Sequence, residues 1–232
     1  MMQAKDIMTT PVVSVTPETG VSEVARLLLH RHISAVPVID ADGRLVGVVS
    51  EGDFLRRAEG DSHRHGSWWL RLFSEPTDNA AEYVKTHGRS AADVMTRDVV
   101  TVTEDISAGD VAHLLETKRI KRVPVLRDGK VVGIVSRADL LRGLAAQRDT
   151  PTATASVEDA TIRKQILEEI SAGDWAPTYG VSVVVVGGVV QIWGIVDSQE
   201  QSEALRVAAA NVPGVKSVEL NVSIIPAYAW SM

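Results

Sequence analysis

Apolar and polar positions along this chain follow two rhythms, a period of two and a period near 3.6, and the rhythms change over in a fixed order. Val12-Val13-Ser14-Val15 is a short β-branched run of strand type. Val21, Val24, Ala25 and Leu28 recur at helical spacing and predict one apolar face, with Gly20 at the N-cap position and Glu23 three residues on. Two strands follow over Ala35–Ile39 and Leu45–Val49, and Asp40-Ala41-Asp42-Gly43 between them has hairpin chemistry. Ser50 then opens a second helix, with Phe54 and Leu55 expected on its buried side.

The same order begins again at Ala91. Ala4–Ile39 and Ala91–Leu126 align without a gap and are identical at 16 of 36 positions, and after one deletion in the turn Asp42–Arg57 matches Asp128–Gly143 at 9 of 16. Ser107 takes the cap position of Gly20, and Asp110 that of Glu23. Each copy therefore reads β-α-β-β-α. A unit of about 55 residues is marginal alone because it leaves sheet surface uncovered, so two copies are expected to pack as a pseudo-symmetric pair with clefts at their junction.

After a polar linker over residues 147–155, Ser156-Val157-Glu158-Asp159 has helix-capping chemistry, ahead of Ile162, Ile166, Leu167 and Ile170. Val181–Val186 and Val189–Ile195 flank a Gly187-Gly188 hairpin turn. Asp197-Ser198 starts a helix with Leu205, Ala208, Ala209 and Val212 facing inward, Pro213-Gly214 stops it, and Val218–Ile224 gives a last strand. The expected fold is thus α/β (α+β), two β-α-β-β-α repeats plus a small α-β-β-α-β domain. Its parts run 1–57, 58–90 (an insert), 91–146, 147–155 and 156–226.

Composition narrows the function. With no Cys there are no disulfides, thiolate metal ligands or Cys nucleophiles, and a reducing cytosol suits the chain. Neither a signal segment nor a membrane-spanning run is legible, so a cytoplasmic protein, or one peripheral to the inner membrane, is expected. Net charge is −6, and residues 156–232 hold nine acidic side chains against four basic ones. No segment has the basic face of a nucleic-acid binder. No Walker loop, nucleophile elbow or His-Glu-x-x-His motif marks an enzyme, and no catalytic residue is assigned.

Three motifs occur in the same order in both repeats. They are Asp-hydrophobic-Met-Thr (Asp6, Met8, Thr9; Asp93, Met95, Thr96), hydrophobic-Pro-Val (Val36-Pro37-Val38; Val123-Pro124-Val125) and Gly-hydrophobic-Val-Ser-x-x-Asp (Gly47 to Asp53; Gly133 to Asp139). Together they resemble the CBS domain family, named for cystathionine β-synthase. The resemblance implies a tandem pair that binds an adenosyl ligand (AMP, ADP, ATP or S-adenosylmethionine), forms a homodimer and regulates a partner.

Adenosine recognition asks for a carboxylate to accept the ribose hydroxyls, a hydroxyl at a helix N-terminus for phosphate, and an apolar slot for the base. Ser50 and Asp53, and Ser136 and Asp139, supply the first two; Val12-Val13 and Val99-Val100 offer the slot. By resemblance, one site combines Ser50 and Asp53 with Val99, Val100, Lys121, Arg122 and Pro124. The other combines Ser136 and Asp139 with Thr9, Val12, Val13 and Pro37. Lys121-Arg122 has only Ser34-Ala35 as its counterpart, so the site with the two cations is expected to favour phosphorylated ligands. The competing reading of Ser-x-x-Asp is a helix capping box, and that of Lys121 and Arg122 a solvated basic edge.

In the insert, His63, His65 and His87 have no Cys or carboxylate cluster beside them and read as an exposed loop rather than a metal site. Trp68, Trp69, Leu70, Leu72 and Phe73 read as core or dimer packing ahead of a lipid- or partner-binding helix. The C-terminal order, with Gly187-Gly188, Gly194 and Asn211-Val212-Pro213-Gly214-Val215, resembles the BON domain, which implies attachment to a phospholipid or protein surface. The leading expectation is a non-enzymatic regulator in which the repeats sense nucleotide and the last domain conveys the result. The alternative is a structural or envelope-associated interaction protein without nucleotide sensing.

Overall fold

The computed structural model describes residues 1–55, 88–148, 157–177 and 180–225. Chain order is α1 (Ala4–Ile7), α2 (Val21–His30), β1 (Ala35–Ile39), β2 (Leu45–Ser50), α3 (51–55), α4 (Ala91–Val94), β3 (Val102–Thr103), α5 (Ala108–Thr117), β4 (Arg122–Arg127), β5 (Lys130–Ser136) and α6 (Arg137–Arg148). It continues with α7 (Val157–Ala172), β6 (Ser182–Val186), β7 (Val189–Val196), α8 (Gln199–Ala210) and β8 (Ser217–Ile224). These elements gather into two compact units, residues 13–99 and residues 1–12 with 100–232.

The units do not coincide with the sequence repeats, because each repeat's opening is built into the other's core. Ala4 and Ile7 of α1 are fully buried among Val111, Leu115, Val123, Val125 and Val135 of the second repeat. Ala91 and Val94 of α4 are buried among Val24, Leu28, Val36, Val38 and Val49 of the first. The backbone repeats the exchange: Ala4 N–H donates to Ile106 C=O (2.9 Å), and Ala91 N–H to Thr19 C=O (2.7 Å). Both short helices carry capping boxes, Gln3 with Asp6 and Ser90 with Asp93.

In the 13–99 unit, β1 and β2 pair antiparallel, and the Val24 and Leu28 face of α2 covers them. Asp40 holds the connecting turn by accepting the N–H groups of Asp42 and Arg44. The expected strand over Val12–Val15 is reduced to one bridge, Val15 beside Val38. Its counterpart is only Val102–Thr103, parallel to β4. The physical reason is that Val12-Val13 and Val99-Val100 are the two points at which the chain passes from one unit to the other. A second correction concerns Leu55, which is 64% exposed; only Phe54 of α3 packs on the core.

In the other unit, β3-β4-β5 form one sheet and β6-β7-β8 a second. Asp128-Gly129 makes a two-residue β4–β5 turn with positive φ at both positions, the geometry that matches strand twist. The C-terminal domain has the expected α-β-β-α-β order. Ser198 caps α8 by accepting Gln201 N–H (3.2 Å). Asp159 in the first turn of α7 accepts the N–H groups of Gly187 (3.0 Å) and Gly188 (2.8 Å) and fixes the hairpin turn, while Ser156, the expected cap, lies outside the described residues.

All five residues of β6 are buried because both faces are covered. Val183 and Val185 join Ile166, Ile192 and Leu205 in the C-terminal core, whereas Val184 and Val186 join the second-repeat core with Ile7 and Val111. The C-terminal domain and the second repeat are therefore cemented through one strand. Gly143 in α6 makes room for α1 and the segment ahead of it, since a Cβ there would meet Met2 and Ile7 (2.8 Å to Ile7 Cγ2). Among the described residues no helix is long and apolar enough to cross a membrane.

Candidate functional site

Ser136 ends β5 and Asp139 lies in the first turn of α6, so the Ser-x-x-Asp motif sits at a strand-to-helix joint. Asp139 is 2% exposed. Its Oδ2 accepts from Ser136 N–H (2.7 Å) and Ser136 Oγ–H (2.6 Å). Its Oδ1 accepts from Thr9 Oγ1–H (3.1 Å) and from Arg142 Nη1 (2.8 Å). A carboxylate offers about four acceptor positions. All four are used.

In the 13–99 unit the same joint is built from Ser50 and Asp53. Asp53 Oδ2 accepts from Ser50 N–H and Ser50 Oγ–H, both at 2.8 Å, and the residue is 7% exposed. In both motifs the carboxylate is thus turned onto its own serine, the capping geometry of the competing reading.

The remaining candidates divide between the units. Thr9, Val12, Val100, Lys121, Arg122 and Pro124 fall in the unit of Asp139; Val13, Pro37 and Val99 fall in that of Asp53. The four valines are half-buried, while Pro37 and Pro124 are buried within β1 and β4 opposite Val48 and Ile134. Arg122 stands directly across from Ser136 in the β4–β5 ladder, and Lys121 C=O accepts from Arg137 N–H (3.3 Å). Lys121-Arg122 thus flanks the serine of its own repeat. Such a grouping, two cations beside a hydroxyl at a helix N-terminus, suits an anionic ligand.

Three residues of this neighbourhood escaped the sequence reading. Arg142 was legible in principle, because the repeat aligns it with Arg56. Trp193 on β7 lies with its ring centroid 5.8 Å from Arg142 Cζ. Arg163 on α7 is buried; its Nε donates to Val183 C=O (2.7 Å) and its Nη2 to Met8 C=O (2.8 Å), the residue before Thr9. Burial pushes the Arg163 guanidinium down to about 10, opposed by the fields of Asp6 and Asp139. The signal for it was spacing: Asp159, Arg163, Ile166 and Ile170 share the inward face of α7.

Among the described residues no group of His, Cys, Asp and Glu is arranged to hold a metal. His63, His65, His87 and the Trp68–Phe73 stretch lie outside the described residues.

Residues 4–60 and 91–146 match the CBS domain model, and residues 158–226 match the BON domain model. An uncharacterized protein of Methanocaldococcus jannaschii is 33% identical over 159 residues, 62% of this chain and 92% of that protein. The CBS domain-containing protein CBSX1, chloroplastic, of Arabidopsis thaliana is 36% identical over 134 residues, 55% of this chain and 57% of its own length. Among solved structures, CBSX2 in complex with AMP has a TM-score of 0.54 at 29% identity, covering 62% of this chain and 97% of that one.

Proposed function

We propose, for a chain that belongs to the CBS-domain family and ends in a BON domain, that it is a regulatory protein whose repeats bind an adenosine nucleotide. The observation that carries this reading is the cluster of Ser136, Asp139, Thr9 and Arg122 in one unit, with Lys121 alongside. The AMP complex of the CBSX2 relative supports an adenosyl ligand of this kind. In this reading Asp139 and Asp53 are the ribose carboxylates, Ser136 and Ser50 the phosphate-side hydroxyls, and Val12, Val13, Val99 and Val100 the walls for the base. Pro37 and Pro124 stiffen the strands behind them. The two cations, which the resemblance groups with Ser50 and Asp53, flank Ser136 in the β4–β5 ladder, and on that side they favour AMP, ADP or ATP over an uncharged adenosyl group.

Catalysis is not part of the proposal; the chain's role is to report ligand through its assembly. Leu141 and Leu144 on α6 are 67% and 50% exposed, and Leu55, the repeat counterpart of Leu141, is 64% exposed. These apolar positions favour a second copy of the chain as partner. The acidic excess of the BON domain favours a protein over an anionic lipid surface as its target.

The test is calorimetric titration of the full chain with AMP. Arg122→Ala is expected to weaken binding about tenfold, the value of one charge-assisted phosphate contact. Unchanged affinity removes Arg122 from the site, and absence of AMP binding in the unaltered chain removes the nucleotide reading.

A further inference from the structure

Both groups that occupy Asp139 Oδ1 are themselves held by the C-terminal domain. Arg142 bonds Asp139 on one side and faces the Trp193 ring on the other, a cation–π arrangement that favours the guanidinium where it stands. Thr9 follows Met8, whose carbonyl accepts from the buried Arg163. The C-terminal domain thus grips the carboxylate's surroundings from β7 and from α7.

That grip is not free of cost. Trp193 Nε1 and Gln191 Oε1 are buried without hydrogen-bond partners among the described residues. Trp193 lies opposite Ser182, and Gln191 opposite Val184, whose side chain packs into the second-repeat core. The two unpaired groups therefore belong to the sheet face that meets the second repeat. A buried polar group without a partner disfavours the arrangement that buries it, so the docked C-terminal domain has a reason to loosen when a competing interaction appears.

A ribose diol brings donors of its own; the Ser136 hydroxyl frees one position on Oδ2 if it turns to phosphate, and a place on Oδ1 opens only if Arg142 or Thr9 withdraws. We propose that the C-terminal domain regulates the Asp139 half-site: Trp193 acts as a positioning residue that keeps Arg142 on the carboxylate, and a nucleotide that takes Asp139 releases Arg142 and loosens the domain. The inference rests on the nucleotide reading above. Coupling of this kind is reciprocal, so whatever loosens the domain also raises affinity for the ligand. Arg163 contributes by fixing the Met8–Thr9 segment from the opposite side.

The experiment uses the full chain and AMP. Asp139→Asn, read by calorimetry, first establishes whether this carboxylate carries a binding event. Given that it does, Arg142→Ala is expected to tighten that event about tenfold and Trp193→Leu about threefold, while Trp193→Phe, which keeps a ring face, stays near the unaltered chain. Trp193→Leu added to Arg142→Ala is expected to change nothing more, because the tryptophan acts through the arginine. Saturating AMP is expected to speed amide exchange in β6 and β7 of the unaltered chain. Should Asp139→Asn leave AMP binding intact, the nucleotide reading of this carboxylate fails and the coupling with it. Should Asp139→Asn abolish the event while Arg142→Ala leaves its affinity unchanged, or while exchange in β6 and β7 is insensitive to AMP, the reading stands and the coupling is overturned. Arg142 is partly exposed, so its variant keeps the test decisive even if Trp193→Leu does not fold.

Discussion

The Met8 side chain lies so close against Gly133 that a Cβ added at the glycine would sit 2.7 Å from Met8 Cγ. Met95 and Gly47 repeat the relationship at 2.8 Å. Each methionine comes from the opening of one repeat and each glycine from a strand of the other. Gly133→Ala is therefore expected to destabilise its unit by about 1–3 kcal/mol, the cost of overpacking a filled core. Adding Met8→Ala should cost less than the sum of the single changes, because the smaller side chain makes room. Urea denaturation of the two singles and the double measures both quantities.

Asp159 is 3% exposed and bonds two successive hairpin amides, from 28 and 29 residues away. Asp159→Ala removes both acceptors while leaving the turn buried against α7. A loss of about 1–3 kcal/mol is expected, with Asp159→Asn intermediate because one oxygen remains to accept. Amide exchange at Gly187 and Gly188 should accelerate more than elsewhere in the domain.

Arg163 is buried and donates to two carbonyls, those of Val183 and Met8. Arg163→Met relieves the desolvation of the guanidinium but leaves both carbonyls short of a donor, so a net loss of about 1–3 kcal/mol is expected. Arg163→Lys keeps a charge yet cannot span both acceptors, and should be destabilised as well. Thermal unfolding of the pair decides whether the fork, and not the charge alone, is what α7 contributes.

Acid sensitivity is expected at α4. Hydrogen bonds from the Ser90 backbone, then the Ser90 hydroxyl and the Arg89 backbone, hold the Asp93 carboxyl below its ordinary range. A depressed folded value means that the stabilisation is complete above the unfolded value of 3.8 and is lost as pH falls through the folded one. The difference in stability between the unaltered chain and Asp93→Asn should then stay at about 0.5–1 kcal/mol at neutral pH, modest because water screens the half-buried carboxyl. It should shrink toward zero in strong acid. Denaturant titrations at pH 7 and pH 3 give the comparison.

How much of this was legible beforehand depends on whether the cause is local. The hairpin turn over Asp40–Gly43, the Ser107 and Ser198 caps and the apolar face of α2 follow from nearest neighbours along the chain, and the structure has them where the pattern put them. Leu55 misled because helical spacing shows which residues share a face and not whether that face is covered; at 64% exposure it is not covered by its own chain. Val12–Val15 misled because β-branched residues favour extended backbone, while a strand also needs a neighbour, and only Val15 has one.

The candidate site shows the same division. Ser-x-x-Asp, repeated with its serine and aspartate intact, was visible as a motif, and its short-range bonds follow from a spacing of three residues. Arg142 reaches Asp139 for the same reason. Thr9, 130 residues away, was joined to Asp139 by the family resemblance and not by any spacing, while Trp193 comes from a strand of another domain to which no periodicity points.

By itself, then, the sequence determined the longer helices and the hairpin strands, their duplication and the chemistry at each strand-to-helix joint, because these depend on backbone propensity and on side chains within one turn of each other; the short helices α1 and α4 were not among them. Only the tertiary structure decided that the repeats exchange their openings and that β6 is buried on both faces by two different cores. Burial of an apolar face is a demand that many partners can meet, and which one meets it is settled when the whole chain packs.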